Sequence, residues 1–206
     1  MSDKSHWDGV YSGRAGDALS WYQAYPKRSL ALIRDCGIGP DAGIIDVGGG
    51  TSGLAFELLR QGFSGLWVLD ISAAALAAAR NRLGADAARV RWVEGDITRA
   101  QLPAAHFDVW HDRAVFHFFT DPVQQAAYVE KAGAAVKPGG HLVISTFAAD
   151  GPEQCSGLPV ARYDVASMQS RFAGRFELMR SEREEHRTPA GKLQRFRYFV
   201  LRRLVS

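Results

Sequence analysis

Two cysteines are all this sequence contains, Cys36 and Cys155. Neither belongs to a CxxC or Cys/His spacing, so no metal ligand set is assigned. In a reducing compartment both read as free thiols. No apolar run approaches the ~20 residues that span a bilayer. The first seven residues lack the charged-then-apolar layout of a signal peptide. A cytoplasmic protein without membrane contact is therefore expected. Charge of one sign is also scarce, with a formal net charge of +3. Arg195, Arg197, Arg202 and Arg203 supply much of the excess. On a strand Arg195 and Arg197 share a face, either as a phosphate-facing patch or as a solvated surface. Basic blocks this short favour the second, which argues against a nucleic-acid partner.

What remains is an ordinary globular composition, 47% hydrophobic and 23% charged over 206 residues. That is enough chain to bury one core without disulfides or metals. We expect a single domain over 1–206, with an aromatic N-terminal segment at 1–28 ahead of a core at 29–206. From residue 29 helix and strand signals alternate. Helices are predicted over 29–36, 53–60, 73–83 and 122–136. Strands are predicted over 43–47, 66–69, 90–93, 107–110 and 141–147. Ser72 is placed to cap the alanine-rich helix and Gly84 to stop it. Asp121-Pro122 opens the next helix, and Lys137-Pro138-Gly139-Gly140 forces a turn after it. A Gly/Pro-rich loop at 150–159 and a helix at 165–172 follow. Segments 176–186 and 193–204 flank the turn at 188–191 as an antiparallel hairpin. Strands alternating with helices imply a parallel sheet covered on both faces, with ligands at the carboxyl ends of its strands.

The strand exits are where chemistry concentrates. The first reads Asp46-Val47-Gly48-Gly49-Gly50-Thr51-Ser52-Gly53, a loop in which glycines let a bulky ligand press against the backbone. Alone it is also what a structural turn looks like. The second strand ends at Asp70, roughly 20 residues on, where a carboxylate can accept both hydroxyls of a ribose. Ile71 follows it. The third ends in Glu94-Gly95-Asp96-Ile97, where a carboxylate can accept from an adenine amine and the two isoleucines can face the ring.

Together these exits resemble class I S-adenosylmethionine (SAM) methyltransferases, over about 43–147. Phe107-Asp108-Val109 and the Lys137–Gly140 turn sit where that family has them. The resemblance implies an α/β fold, a three-layer sandwich whose seven-stranded sheet is mostly parallel with its last strand antiparallel. It implies that Asp46, Gly48 and Gly50 hold the methionine end of the cofactor, Asp70 the ribose, and Asp96 with Ile97 the adenine. The product would be S-adenosylhomocysteine (SAH). Ser52 stands where the family's loop usually has a third glycine. A nicotinamide dehydrogenase fingerprint can be forced onto Gly48, Gly50 and Gly53, but it leaves Asp96 and the Pro-Gly-Gly turn unexplained.

The fourth exit, Trp110-His111-Asp112-Arg113, faces the transferred methyl in that family. His111 can act as a general base or as a cofactor contact. Arg113 can hold an acidic acceptor or pair with Asp112. The bland reading is a structural ion pair beside a buried histidine. His117, among phenylalanines, reads as core or pocket wall. No Asn/Asp-Pro-Pro-Tyr/Phe motif stands here, which argues against methylation of exocyclic amines on nucleic-acid bases. Trp7, Tyr11, Trp21, Tyr22 and Tyr25 suit either a small hydrophobic staple or a lid, with Tyr11 and Trp21 as cofactor contacts. A Trp-Asp-x-x-Tyr opening followed by Trp-Tyr also resembles a branch that includes protein-lysine methyltransferases. Cys155 can line an acceptor pocket or serve as a small hydrophobe, and Arg162 with Tyr163 can hold a carboxylate. A small-molecule acceptor is the expected substrate. A protein lysine is the alternative, and a cofactor-binding regulator without turnover is the third reading.

Overall fold

The computed structural model describes residues 4–13 and 18–205, and its β-branched and aromatic runs pair into one seven-stranded sheet. Strands β1 (Gly43–Val47), β2 (Gly65–Asp70), β3 (Val90–Glu94), β4 (Phe107–Arg113) and β5 (Val136–Phe147) are mutually parallel. A two-rung hairpin, β6 (Gln154–Cys155) with β7 (Leu158–Pro159), interrupts the Gly/Pro loop. The long hairpin β8 (Phe176–Arg187) and β9 (Leu193–Arg203) closes the sheet, with β9 antiparallel to both β5 and β8. The order is β3-β2-β1-β4-β5-β9-β8, so strand order reverses between β1 and β4. That is the expected seven-stranded architecture.

Two apolar clusters fill the faces and make the sandwich three-layered. On one side, helices α2 (Lys27–Asp35), α3 (Leu54–Arg60) and α4 (Ala73–Leu83) set Leu30, Leu58 and Leu76 against Ile44, Val109 and Val143. On the other, α5 (Pro122–Ala135) and α6 (Val165–Phe172) set Tyr128, Met168 and Phe172 against Trp110, Phe116 and Ile144. Burying each such large side chain contributes roughly 1.5–3 kcal/mol. Local signals fix the helix ends. Ser72 Oγ accepts from Ala75 N at 3.3 Å, and Gly84 ends α4 at φ +57°. Asp121 caps α5 ahead of Pro122. Asp164 and Ser167 form a reciprocal capping box on α6.

Several expectations need correcting. β4 runs three residues further than predicted, so His111, Asp112 and Arg113 lie within a strand rather than beyond its exit. The Lys137–Gly140 segment does not stop the chain between helix and strand. β5 already begins at Val136, with Gly139 at φ +77° and a register shift where β4 pairs it between Phe107 and Val109. Part of the aromatic N-terminal segment is a helix, α1 (Lys4–Ser12). The remainder of that segment at 1–3 and 14–17 lies outside the described residues, as does Ser206. The C-terminal arginines are bonded locally, two to acids and two to neutral oxygens, which agrees with the favoured reading of a solvated surface over a phosphate-facing patch. Arg195 meets Asp150 and Glu185, Arg202 meets Glu177, Arg197 bonds Ser181, and Arg203 bonds the Val136 carbonyl. Among the described residues no helix is long and apolar enough to cross a membrane, and no group of side chains is arranged to hold a metal.

Candidate functional site

A concave cleft lies over the carboxyl ends of β1, β2 and β4, where ligands of open α/β sheets bind. Asp70, Ile71, Asp96 and Ile97 line one arm. Asp46, Ser29 and His111 line the other. Tyr11, Trp21, Gly48 and Arg113 border both arms and mark the junction. Nine of the ten predicted cofactor residues therefore meet at one place. Gly50 does not line this cleft. A Cβ there would lie 2.8 Å from Asp70 Oδ2 and 3.0 Å from the Tyr11 hydroxyl, so its role is to let those two side chains close in behind the loop.

The loop after β1 needs glycine at Gly48 for two reasons. Its φ is +66°, and an added Cβ would fall 2.1 Å from Val115 Cγ2. Asp46 precedes it inside β1, opposite His111 in the β1–β4 register. Its Oδ1 is 2.7 Å from His111 Nδ1, and His111 Nε2 is 2.8 Å from Ser29 Oγ. Asp46 Oδ2 is buried and has no hydrogen-bond partner among the described residues. A buried carboxylate oxygen left unmatched is costly unless a ligand supplies the donor. The ammonium of an amino-acid moiety fits that vacancy.

Asp70 is 4% exposed. Burial pushes its carboxyl up to about 7, with the Asp46 charge adding to the effect against backbone N–H donors at Ser72, Gly50 and Ile71. Asp96 Oδ1 accepts from both Thr98 N and Thr98 Oγ1 at 2.8 Å, which holds its turn, while Oδ2 is the oxygen available to a ligand. Over this arm lies α1. Its Asp8 accepts from Ser72 Oγ at 2.6 Å and pairs with Lys4, which also reaches Glu94. Trp7 packs edge-on to Phe118 at 5.0 Å and to Trp21 at 6.0 Å, and Tyr11 packs edge-on to Trp21 at 6.2 Å. The N-terminal aromatics form a roof.

β4 points His111 and Arg113 toward the cleft and Asp112 away, as strand alternation requires. Asp112 therefore does not pair with Arg113. It accepts from Val115 N, Phe116 N and the Tyr128 hydroxyl instead, and burial raises its carboxyl to about 6. Arg113 Nε donates to the Tyr198 hydroxyl at 3.2 Å and Nη1 to the Trp21 carbonyl at 2.7 Å. His117 is fully buried among Phe118 and Phe147, with burial and then the Arg113 charge lowering it to about 3. It is core, not cleft. Arg162 pairs with Glu153, and Tyr163 OH accepts from Gln125, so neither faces the cleft. Cys155 lines it as a thiol pushed up to about 11 by burial. Ser29, Tyr198 and Glu184 were not foreseen. Only Ser29, just inside a predicted helix, offered any signal.

Residues 44–140 match the methyltransferase domain family. An uncharacterized methyltransferase of Mycobacterium bovis is 32% identical over 65% of this chain and 64% of its own length; the match thus spans under two thirds of that relative. EEF1A lysine methyltransferase 2 of Danio rerio is 26% identical over 71% of this chain and 69% of that protein. Among solved structures, a Burkholderia thailandensis 1,6-didemethyltoxoflavin N1-methyltransferase, bound to 1,6-didemethyltoxoflavin and SAH, superposes with a TM-score of 0.73. It covers 100% of this chain and 92% of that one at 20% identity. The sheet order β3-β2-β1-β4-β5-β9-β8 and this superposition show that the chain has the α/β fold of such methyltransferase structures, and its residues 44–140 are similar to the methyltransferase domain family.

Proposed function

We propose that this protein is an enzyme that transfers a methyl group from SAM to a small-molecule acceptor. The observation that carries the proposal is the cleft itself. A buried, half-satisfied Asp46, a loop whose left-handed turn only glycine accommodates without strain, and a desolvated Asp70 lie at the carboxyl ends of the neighbouring strands β1 and β2. In this reading Asp46 Oδ2 takes the ammonium of the cofactor, Asp70 its ribose hydroxyls and Asp96 its adenine amine, with Ile71 and Ile97 against the ring. Gly48 and Gly50 keep the loop clear.

SAM supplies a methyl already activated on a sulfonium, so the chain's own work is alignment and exclusion of water. Alignment of this kind is worth on the order of 7–11 kcal/mol. Tyr11, Trp21 and Trp7 cover the junction with rings that favour a cation and keep solvent out. His111 has both ring nitrogens engaged, by Asp46 and Ser29. It therefore serves as the residue that aims Asp46 rather than as a free base. Arg113 stands at the acceptor end of the junction. A cytoplasmic setting accords with the free thiols Cys36 and Cys155.

The zebrafish relative favours a second reading, a protein lysine as acceptor. Two features weigh against it: the guanidinium of Arg113 at the junction repels an incoming ammonium, and the roof leaves an aromatic recess rather than an acidic groove. Calorimetric titration with SAH, followed by SAH release from SAM in the presence of fractionated metabolites or of protein extract, tests the reading. Failure of SAH to bind pure protein would end it. Release driven by the protein fraction alone would transfer it to lysine.

A further inference from the structure

Among the described residues, Arg113 is the cleft cation whose hydrogen bonding is incomplete. Its side chain is 11% exposed. Nε and Nη1 are spent on the Tyr198 hydroxyl and the Trp21 carbonyl, and the guanidinium stacks 4.8 Å from the Phe196 ring centroid. These contacts hold the planar group in one orientation. Nη2 is buried and has no hydrogen-bond partner among the described residues. Glu184 Oε2 forms an ion pair with Nη2 at 3.9 Å, beyond hydrogen-bond reach, and the same oxygen accepts from the Gln23 amide at 3.4 Å, so the pair offsets charge without filling the N–H. A clamped guanidinium with an unmatched N–H is built to receive an oxygen anion, since planar charge-assisted pairing is what arginine does better than lysine. Around it the junction is apolar, with Trp21, Ala114, Phe118 and Cys155.

We infer that the methyl acceptor is a small apolar acid whose carboxylate is bound by Arg113 Nη2 while its apolar body lies against Trp21 and Phe118. The inference rests on the methyl-transfer reading of the cleft and narrows it to a substrate class. The carboxylate binds and is not chemically altered. The methylated atom lies elsewhere on the same molecule, within reach of the junction.

The test uses SAH-saturated full-length protein and paired probes, each acid beside its primary amide: isobutyrate, phenylacetate and 4-hydroxybenzoate. Binding is read by ligand-observed NMR. At least one acid is expected to bind about tenfold or more tightly than its amide, as a charge-assisted hydrogen bond implies. That preference should disappear in Arg113→Met and shrink in Arg113→Lys, which keeps the charge and loses the fork. Equal binding of acids and amides, or binding of neither, would overturn the assignment. A separate arm compares SAH with methylthioadenosine, which lacks the amino-acid group. If Arg113→Met weakens SAH strongly and leaves methylthioadenosine unchanged, Arg113 serves the cofactor carboxylate and the inference fails, with the methyl-transfer reading intact. If wild-type protein ignores SAH, the methyl-transfer reading itself has failed.

Discussion

Replacing Asp70 by asparagine should pull cofactor affinity and protein stability in opposite directions. The side chain keeps its shape, and Oδ1 can still accept from Ser72 N, a 2.9 Å bond in the native protein. What is lost is one of two oxygens able to accept ribose hydroxyls. A hydrogen bond to a charged group is worth about 1.5–3 kcal/mol, so SAH should bind about 10- to 150-fold more weakly. Stability moves the other way. Asp70 in the free protein titrates near 7 because it is buried, first, and because Asp46 is close. A carboxyl whose folded pKa is raised contributes stability that is full below its unfolded pKa and is lost as pH rises through the folded value. Three units at 1.36 kcal/mol each bound the loss at roughly 4 kcal/mol. Free Asp70→Asn protein should therefore melt above wild type at pH 8, with the gap narrowing toward pH 5. Binding adds a third signature. Wild-type SAH affinity should rise with pH up to about 7 and then level, because the carboxylate is the competent form. The variant should be flat across the same range. Calorimetry and thermal melts at pH 5, 6, 7 and 8 read all three. Unchanged SAH affinity in the variant, or a wild-type profile without the rise, would refute the assignment of Asp70 to the ribose.

Other perturbations probe the frame around that acid. Gly48→Ala forces a Cβ into Val115 Cγ2 at a positive φ, and should cost about 2 kcal/mol or more of stability. Adding Val115→Ala should recover only the packing part, and full recovery would show that the backbone conformation there is not strained. Ser29→Ala leaves His111 Nε2 buried without its partner, and should lower stability by about 1–3 kcal/mol while weakening SAH several-fold through a misaimed Asp46. An unchanged unfolding midpoint and unchanged SAH affinity would remove the aiming role given to His111. Asp8→Ala breaks the contact between α1 and Ser72, and should speed SAH dissociation in stopped-flow tryptophan fluorescence. Identical off-rates would mean that α1 is not a cover.

The parts of the site legible in the sequence were those whose partner is nearby in the chain or is the backbone itself. Gly48 announces a positive φ, Asp70 ends a strand at the right distance from it, and Asp96 caps its own turn through Thr98. The hairpin of β8 and β9 was legible because two extended segments flank a Thr-Pro-Ala-Gly turn. What escaped was set by tertiary pairing. Ser29 reaches His111 across 82 positions, and Tyr198 reaches Arg113 across 85, with no periodicity to mark either. β4 read as ending at Trp110 because the residues beyond it are charged, and charge normally signals a loop. In β4 those charges are satisfied inside the sheet. Asp112 is taken by two backbone N–H groups and a tyrosine, and His111 by an acid and a serine, so the strand continues to Arg113.

That extension lets one strand serve both ligands of the proposed transfer reaction. Alternation along β4 sends Asp112 to the far side, where it ties down the Val115–Phe116 turn that presses Val115 against Gly48. The two residues on the near side are joined through Ser29 and Tyr198. His111 bonds Ser29, Ser29 lies 3.3 Å from the Tyr198 hydroxyl, and that hydroxyl accepts from Arg113. Asp46 thus stands at one end of a continuous buried network and Arg113 at the other, an acid with a spare oxygen and a cation with a spare N–H. Both residues line the cleft. A network satisfied everywhere except at its two ends is the arrangement expected when two different molecules complete it, a donor at the acid and an acceptor at the cation, held in mutual register by a single strand.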